Sequence, residues 1–138
     1  MKQHVFSGYL LYDDYEFLCL DEKAEYHHHG SPLGGMINEK ISNGTNVFVR
    51  YYISDKPLTL ENANEALIYK SLGLGNVEAN YVLEAYSEYT IEAWEHTAVV
   101  GGHDLLKELD THTGKYLILV ITEASSLVGK DIEIEPML

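Results

Sequence analysis

Residues 116–121 read Tyr-Leu-Ile-Leu-Val-Ile, and this run decides the fold class. The run is apolar at nearly every position, which indicates a strand buried on both faces. A strand of this kind belongs in the middle of a sheet, so the rest of the chain has to supply its neighbours.

Two further stretches have the pattern of β-hairpins. Residues 5–12 and 15–20 are rich in aromatic and aliphatic side chains and are separated by two aspartates. Within the first of them, Gly8 indicates a bulge or a close backbone approach. Residues 36–42 and 45–53 flank Asn43-Gly44, the pair preferred in a two-residue type I′ turn. The sequence therefore predicts two antiparallel strand pairs before residue 54.

The second half of the chain mixes strand and helix signals. Residues 77–100 contain many β-favouring side chains and predict one long bent strand or two consecutive strands. Alternation over 131–135 predicts a short edge strand whose acids discourage aggregation. Two helices are predicted, one over about 60–72 and one over 104–111. Thr59 is the expected cap of the first helix and Gly73 its stop, while breakers throughout 21–35 predict a loop.

The 138 residues therefore predict one α+β domain spanning 1–138. Its expected form is a small, mainly antiparallel sheet, curled or barrel-like, with two short helices packed against it. OB-like and SH3-like barrels are the nearest analogies, and a fold analogy of this kind carries no function.

The charge balance is the most informative global property. Nine Lys plus Arg stand against 22 Asp plus Glu, for a formal net charge of −13. This surface repels phosphate backbones and anionic lipid, so neither direct nucleic-acid binding nor membrane binding is expected. No apolar run is long enough to span a bilayer, and no apolar leader follows Met1, which predicts a cytoplasmic location. The charge favours basic partners or cations.

Familiar catalytic and cofactor motifs are absent from the sequence. Residues 30–34 do not form a nucleophile elbow because the serine stands in the wrong place, and residues 73–75 lack the third glycine of a dinucleotide fingerprint. The one cysteine, Cys19, lies in an apolar run and is interpreted as a small buried hydrophobe. The sequence thus predicts no cofactor and favours a protein that is not an enzyme.

Histidines supply the candidate metal ligands. His27 and His29 fall on the same side of an extended backbone and could share one ion. His103 and Asp104 follow paired glycines at a helix start, where a histidine could act as a base or a ligand. In the alternative interpretation, the glycines form the turn before the helix, and Asp104 is favoured because it lies at the positive end of the helix dipole. His96 and His112 are further residues that could join His103 in space.

An interval rich in acidic and aromatic residues is the strongest functional signal. Between Lys70 and Lys107 there is no Lys or Arg, and the acids are interleaved with tyrosines and a tryptophan. Carboxylates and rings together suit a basic protein partner. The alternative is a solvated face over a tyrosine-rich core. The predicted binding residues are Glu84, Glu88, Glu92, Glu95, Tyr86, Tyr89 and Trp94.

The leading hypothesis is a non-enzymatic acidic interaction module that binds a basic protein. An inhibitor, or a phage-type accessory protein that blocks a nucleic-acid enzyme, would fit it. One alternative is a small-molecule or metal-binding barrel, with or without catalytic activity, that uses His103 and Asp104. A concave pocket gathering His96, His103 or His112 with a carboxylate would favour this alternative. Another is a structural or assembly subunit, in which the strand at 131–135 is exchanged.

Overall fold

Eight antiparallel strands form one sheet in the computed structural model, which describes residues 2–13, 17–22, 30–85 and 91–124, with the backbone alone at 83–85 and 91–94. The order of strands across the sheet is β3-β2-β1-β8-β4-β5-β6-β7. The elements are β1 (Gln3–Tyr12), β2 (Leu18–Asp21), β3 (Ser31–Pro32), α1 (Leu33–Lys40), β4 (Asn46–Ser54), a 3₁₀ helix (Leu60–Glu65), β5 (Ile68–Ala85), β6 (Ile91–Val100), β7 (His103–Asp104), α2 (Leu105–Asp110) and β8 (Tyr116–Glu123).

The predicted central strand is confirmed. β8 lies between β1 and β4, and all residues from 117 to 121 are buried. Leu119 pairs with Tyr51 on the inner face, in the main core, whereas Ile118 pairs with Tyr52 on the outer face. The 3₁₀ helix covers that outer face through Ala63. Burial on both faces explains why the run has no polar position.

The sheet curls into a half-barrel, which agrees with the barrel-like α+β class. Phe17, just before β2, packs its ring against Tyr81 of β5 and His96 of β6 at centroid distances of 5.4 and 5.3 Å. These contacts bring opposite ends of the strand order together. Helix α1 packs against both ends of this strand order, with β2 and β3 on one side and β5 and β6 on the other. It buries Leu33 and Ile37 in these contacts.

The N-terminal hairpin and the second α-helix are also confirmed. β1 pairs with β2 in an antiparallel register, and the backbone N–H of Phe17 donates to Asp13 Oδ1 at 2.9 Å in the turn. A side chain at Gly8 would overlap the Asp21 carbonyl of β2, so the predicted close approach is present.

Residues 68–85 and 91–100 form two consecutive strands, which is one of the two interpretations given for 77–100. The strand predicted at 131–135 lies outside the described residues.

The predicted strand at 36–42 is wrong, because residues Leu33–Lys40 form α1. Leu33, Ile37 and Ile41 recur every four residues and all enter the main core, so burial favours the helix. Asn43-Gly44 does make a turn, but this turn leads from α1 into β4 and docks on β5 through a bond from Ala79 N–H to Asn43 Oδ1 of 2.8 Å. The loop predicted over 21–35 is likewise wrong from residue 31 onward.

The helix predicted over 60–72 is also wrong. Only Leu60–Glu65 are helical, and β5 begins at Ile68, which pairs with Ile53 of β4. The Thr59 N–H donates to Asn62 Oδ1 at 2.7 Å, so the start of the helix is where the sequence placed it. Gly73 lies at a bulge within β5 with φ of +80°. Pairing with a strand already in the sheet outweighs the helix propensity of the segment. None of the helices formed by the described residues has the length and apolar character to cross a bilayer.

The contact of α1 with the sheet gives a testable prediction about Gly34. By helix propensity alone, Gly34→Ala would stabilise the protein by about 0.5–1 kcal/mol. In the fold, however, the added methyl would overlap the Thr97 carbonyl and lie 2.8 Å from the Asn80 carbonyl. Overpacking costs about 1–3 kcal/mol, so we expect urea unfolding to show a net loss of stability. Asn38→Ala, at an exposed position of α1, is the control and should not be destabilising. A stabilised Gly34→Ala variant would contradict the packing of α1 on β5 and β6.

Candidate functional site

The acidic interval maps onto the β5–β6 hairpin. Val77 and Ala79 of β5 are buried in the core, so the alternate positions face outward. We use the name acidic face for this outward side, whose described residues are Glu78, Asn80, Val82, Glu95, Thr97 and Val99. Glu78 and Glu95 are exposed there, and Glu95 pairs directly with Val82, an apolar side chain that is 41% exposed. The acidic face therefore presents carboxylates beside apolar surface.

The predicted binding residues divide between the two strands and the gap between them. Glu84 lies on β5, paired with Ala93, whereas Glu92 and Trp94 lie on β6. The four-residue spacing that linked Glu84 to Glu92 therefore does not run along one strand. Three of the predicted residues lie outside the described part of the chain: Tyr86, Glu88 and Tyr89.

An open depression of about 840 Å³ lies between β5 and α2. Tyr51, which is buried, forms part of its lining, and its hydroxyl donates to Glu108 Oε1 at 3.1 Å. Lys70 of β5 donates to the same Glu108 oxygen, so this carboxylate joins β4, β5 and α2. His103 and His112 also line the depression, and the His112 ring lies 6.3 Å from the Tyr51 ring. The depression thus gathers two histidines with a carboxylate.

The electrostatics of this cluster set its chemistry. Burial raises the pKa of Tyr51 to about 12, and its hydrogen bond to Glu108 acts in the same direction, so the phenol stays protonated at neutral pH. The hydrogen bond from Lys70 lowers the pKa of Glu108, which therefore stays ionised. Asp104 caps α2, accepting from the N–H groups of Leu106 and Lys107 at 3.1 and 3.2 Å. This confirms the capping interpretation of Asp104.

His96 lies in a different place. Its Nε2 accepts a hydrogen bond from the Gly34 N–H at 2.9 Å, at the start of α1, and its ring packs on Phe17 and Tyr81. Burial lowers the pKa of His96, which favours the neutral ring that the Gly34 bond requires. Of the two histidines that could join His103, the structure brings in His112 and leaves His96 in a structural role.

The remaining chemical candidates have less support. Cys19 is fully buried, and burial raises the pKa of its thiol to about 12, which agrees with a small buried hydrophobe. His27 and His29 lie outside the described residues. Within the described part of the chain, no three His, Cys, Asp or Glu side chains come together in a group that could hold a metal ion.

Sequence reasoning missed Tyr51, Lys70 and Glu108. They are up to 57 residues apart in the chain, and each has an ordinary local context: Tyr51 and Lys70 lie in strands, and Glu108 lies in a short helix. No signal in the sequence links them, because the sheet pairing that brings β4 next to β5 was hidden by the wrong helix prediction.

Comparison with known proteins adds no identification: no family model, no curated protein and no solved structure matches this chain.

The buried His96 makes stability depend on pH. Because its pKa in the folded protein lies below the usual value of about 6.5, the unfolded chain binds more protons in the range between the two values. The stability that the neutral His96 contributes is therefore complete above about pH 6.5 and is lost as the pH falls through the pKa of His96 in the folded protein. We expect the free energy of unfolding, measured in urea from pH 7.5 to 5, to fall with pH less steeply in His96→Gln than in the wild type. Asn38→Ala, an exposed substitution on α1 that removes no titratable group, should keep the wild-type slope. Equal slopes in all three proteins would contradict a buried, neutral His96.

Proposed function

We propose that this protein is a non-enzymatic interaction module whose acidic face binds a basic protein. An inhibitor or a phage-type accessory protein that acts on a nucleic-acid enzyme fits this role. The observation that carries the proposal is the position of the base-free interval: between Lys70 and Lys107 the chain forms a hairpin on which Glu78 and Glu95 are exposed around Val82.

The physical argument rests on the combination of charge and apolar surface. Neither Glu78 nor Glu95 has an ion-pair partner among the described residues, so both carboxylates are available to Lys or Arg side chains. The other exposed acids include Asp55 and Glu65, which already face lysines. A net charge of −13 steers a basic partner toward the protein, and Val82 offers a contact that excludes water next to the charges.

The alternative, a small-molecule or metal-binding barrel, has one observation in its favour. His103 and His112 share a depression with Glu108, as that hypothesis required. We rank it second because the two carboxylates there are engaged, Asp104 as a helix cap and Glu108 by Lys70 and Tyr51. Ligand binding there would have to use the remaining donors.

The proposal is tested by reversing charge on the acidic face. We expect the immobilised wild-type protein to retain a basic, nucleic-acid-handling protein from host extract and to release it at moderate salt. The Glu78→Lys/Glu95→Lys variant should not retain this protein. Like charges placed in contact cost several kcal/mol, so the affinity for the purified partner should fall by at least about tenfold. Titration calorimetry with that partner measures the fall.

The control carries the same change in net charge elsewhere. Glu22→Lys/Glu39→Lys alters two other exposed glutamates that have no ion-pair partner among the described residues. This variant should keep most of the wild-type affinity. If both variants weaken binding equally, only net charge matters and the acidic face is not the binding surface. If neither does, the proposed function is wrong.

A further inference from the structure

The N-terminal half of β5 has an unpaired edge. β5 pairs with β4 through residues 68–76 and with β6 through residues 77–85, which lie on opposite sides of it. Among the described residues, no strand pairs with the other edge of residues 68–75, which we call the free edge. Its main-chain N–H and C=O groups are a ready template for a further strand.

The side chains around the free edge are unusually exposed for a strand within a sheet of eight. Every residue from 67 to 71 is exposed. Leu67, Ile68 and Tyr69 are exposed by 62%, 38% and 58% of their surface, and Leu74 lies further along the same strand, also exposed. Apolar side chains grouped at an unpaired edge are typical of interaction surfaces.

The free edge faces the depression that separates β5 from α2. The turn at Gly101 closes the free edge at its Gly75 end, because the Gly101 N–H donates to the Asn76 carbonyl at 3.1 Å and a side chain at Gly75 would overlap Gly101. Ile68 and Lys70 form the β5 side of the depression, and Lys107 and His112 lie on the other. An extended chain needs about 4.8 Å of lateral space beside a strand, and the depression is open beside Ile68 and Lys70 of this edge.

The charges in the depression favour a ligand that supplies acceptors. Both carboxylates are engaged by groups of the protein itself, Asp104 by backbone N–H groups and Glu108 by Lys70 and Tyr51. Lys107, by contrast, has no ion-pair partner among the described residues, and the ring nitrogens of His103 and His112 make no hydrogen bond within that part of the chain. The depression therefore offers donors in a protein that is otherwise strongly acidic.

Lysine is a residue type that protects sheet edges from pairing, and Lys70 stands at this edge. Its ammonium is bound by Glu108 on α2, so the charge is held across the depression and is partly neutralised. The bulge near Gly73 interrupts the edge between positions 71 and 73. Leu67, Ile68 and Tyr69 precede the bulge, and Leu74 follows it.

We propose that the free edge is a strand-addition site for an extended segment of a partner protein, with apolar side chains at alternate positions and a carboxylate between them. Main-chain hydrogen bonds to β5 would supply affinity. Tyr69, on the outer face of the sheet, would contact the apolar side chains, and Lys107, in the depression on the inner face, would bind the carboxylate. This inference concerns a surface other than the acidic face and does not rest on the proposed function.

The test uses a synthetic peptide of four Val-Glu repeats, acetylated and amidated, titrated into the full chain labelled with ¹⁵N. We expect chemical-shift changes at the amides of residues 68–74. A peptide of the same sequence that is N-methylated at alternate residues should bind about three- to tenfold more weakly for each hydrogen bond lost. At residues 68–74, Val-Lys repeats should cause smaller shift changes, because they supply no carboxylate to Lys107; binding of these repeats to the acidic face would instead shift the amides around Glu78 and Glu95.

Protein variants locate the site. Tyr69→Lys and Lys107→Glu should each weaken peptide binding, and Lys107→Glu should also reduce the preference for Val-Glu over Val-Lys repeats. Val5→Lys, at another exposed apolar position of the sheet, is the matched control and should bind as the wild type does. Circular dichroism of each variant confirms folding before titration.

Three outcomes would overturn the inference. The first is the absence of shift changes at residues 68–74 with millimolar peptide. The second is that the N-methylated peptide and free glutamate each bind as tightly as the unmodified peptide, which would make the depression a site for small carboxylates. The third is a concentration-dependent dimer, seen by light scattering and abolished by Tyr69→Lys, which would assign the free edge to a second copy of this chain.

Discussion

The contact between the start of α1 and the β5–β6 hairpin is the constraint on which the rest of the structure depends. The strand order places β2 and β5 far apart in the sheet, and only curling brings them together. Phe17, Tyr81 and His96 meet across this closure, and the Gly34 N–H donates to the His96 ring. Because α1 also buries Leu33 and Ile37 there, closure and core formation occur through the same contacts.

This closure determines where the functional surfaces lie. With one side of the β5–β6 hairpin against α1, the other side is left to solvent and carries Glu78 and Glu95. β5 changes partner from β4 to β6 near Asn76, which leaves its first half with an unpaired edge beside α2. A surface of acceptors and a depression of donors therefore lie on the same strand, and they suit partners of opposite chemistry.

The sequence predicted elements whose signals are local. The apolar run of β8, the first hairpin and the Asp104 cap needed no distant information. Prediction from the sequence failed where a contact between residues far apart in the chain decides the local structure. Gly34 reads as a helix breaker, yet at this position only a glycine lets α1 approach the carbonyls of Asn80 and Thr97. Helix propensity around Leu67 was outweighed by pairing with β4, and this error also hid the cluster of Tyr51, Lys70 and Glu108.

The state of the His96 ring tests the closure most directly. Long-range ¹H–¹⁵N correlation at pH 7.5 identifies which ring nitrogen carries the proton, and nuclear Overhauser effects report the neighbouring rings. The closed half-barrel predicts a neutral ring protonated on Nδ1, with Nε2 accepting from Gly34 and with Overhauser effects to Phe17 and Tyr81. A ring protonated on Nε2, or one without effects to Phe17, would contradict the account.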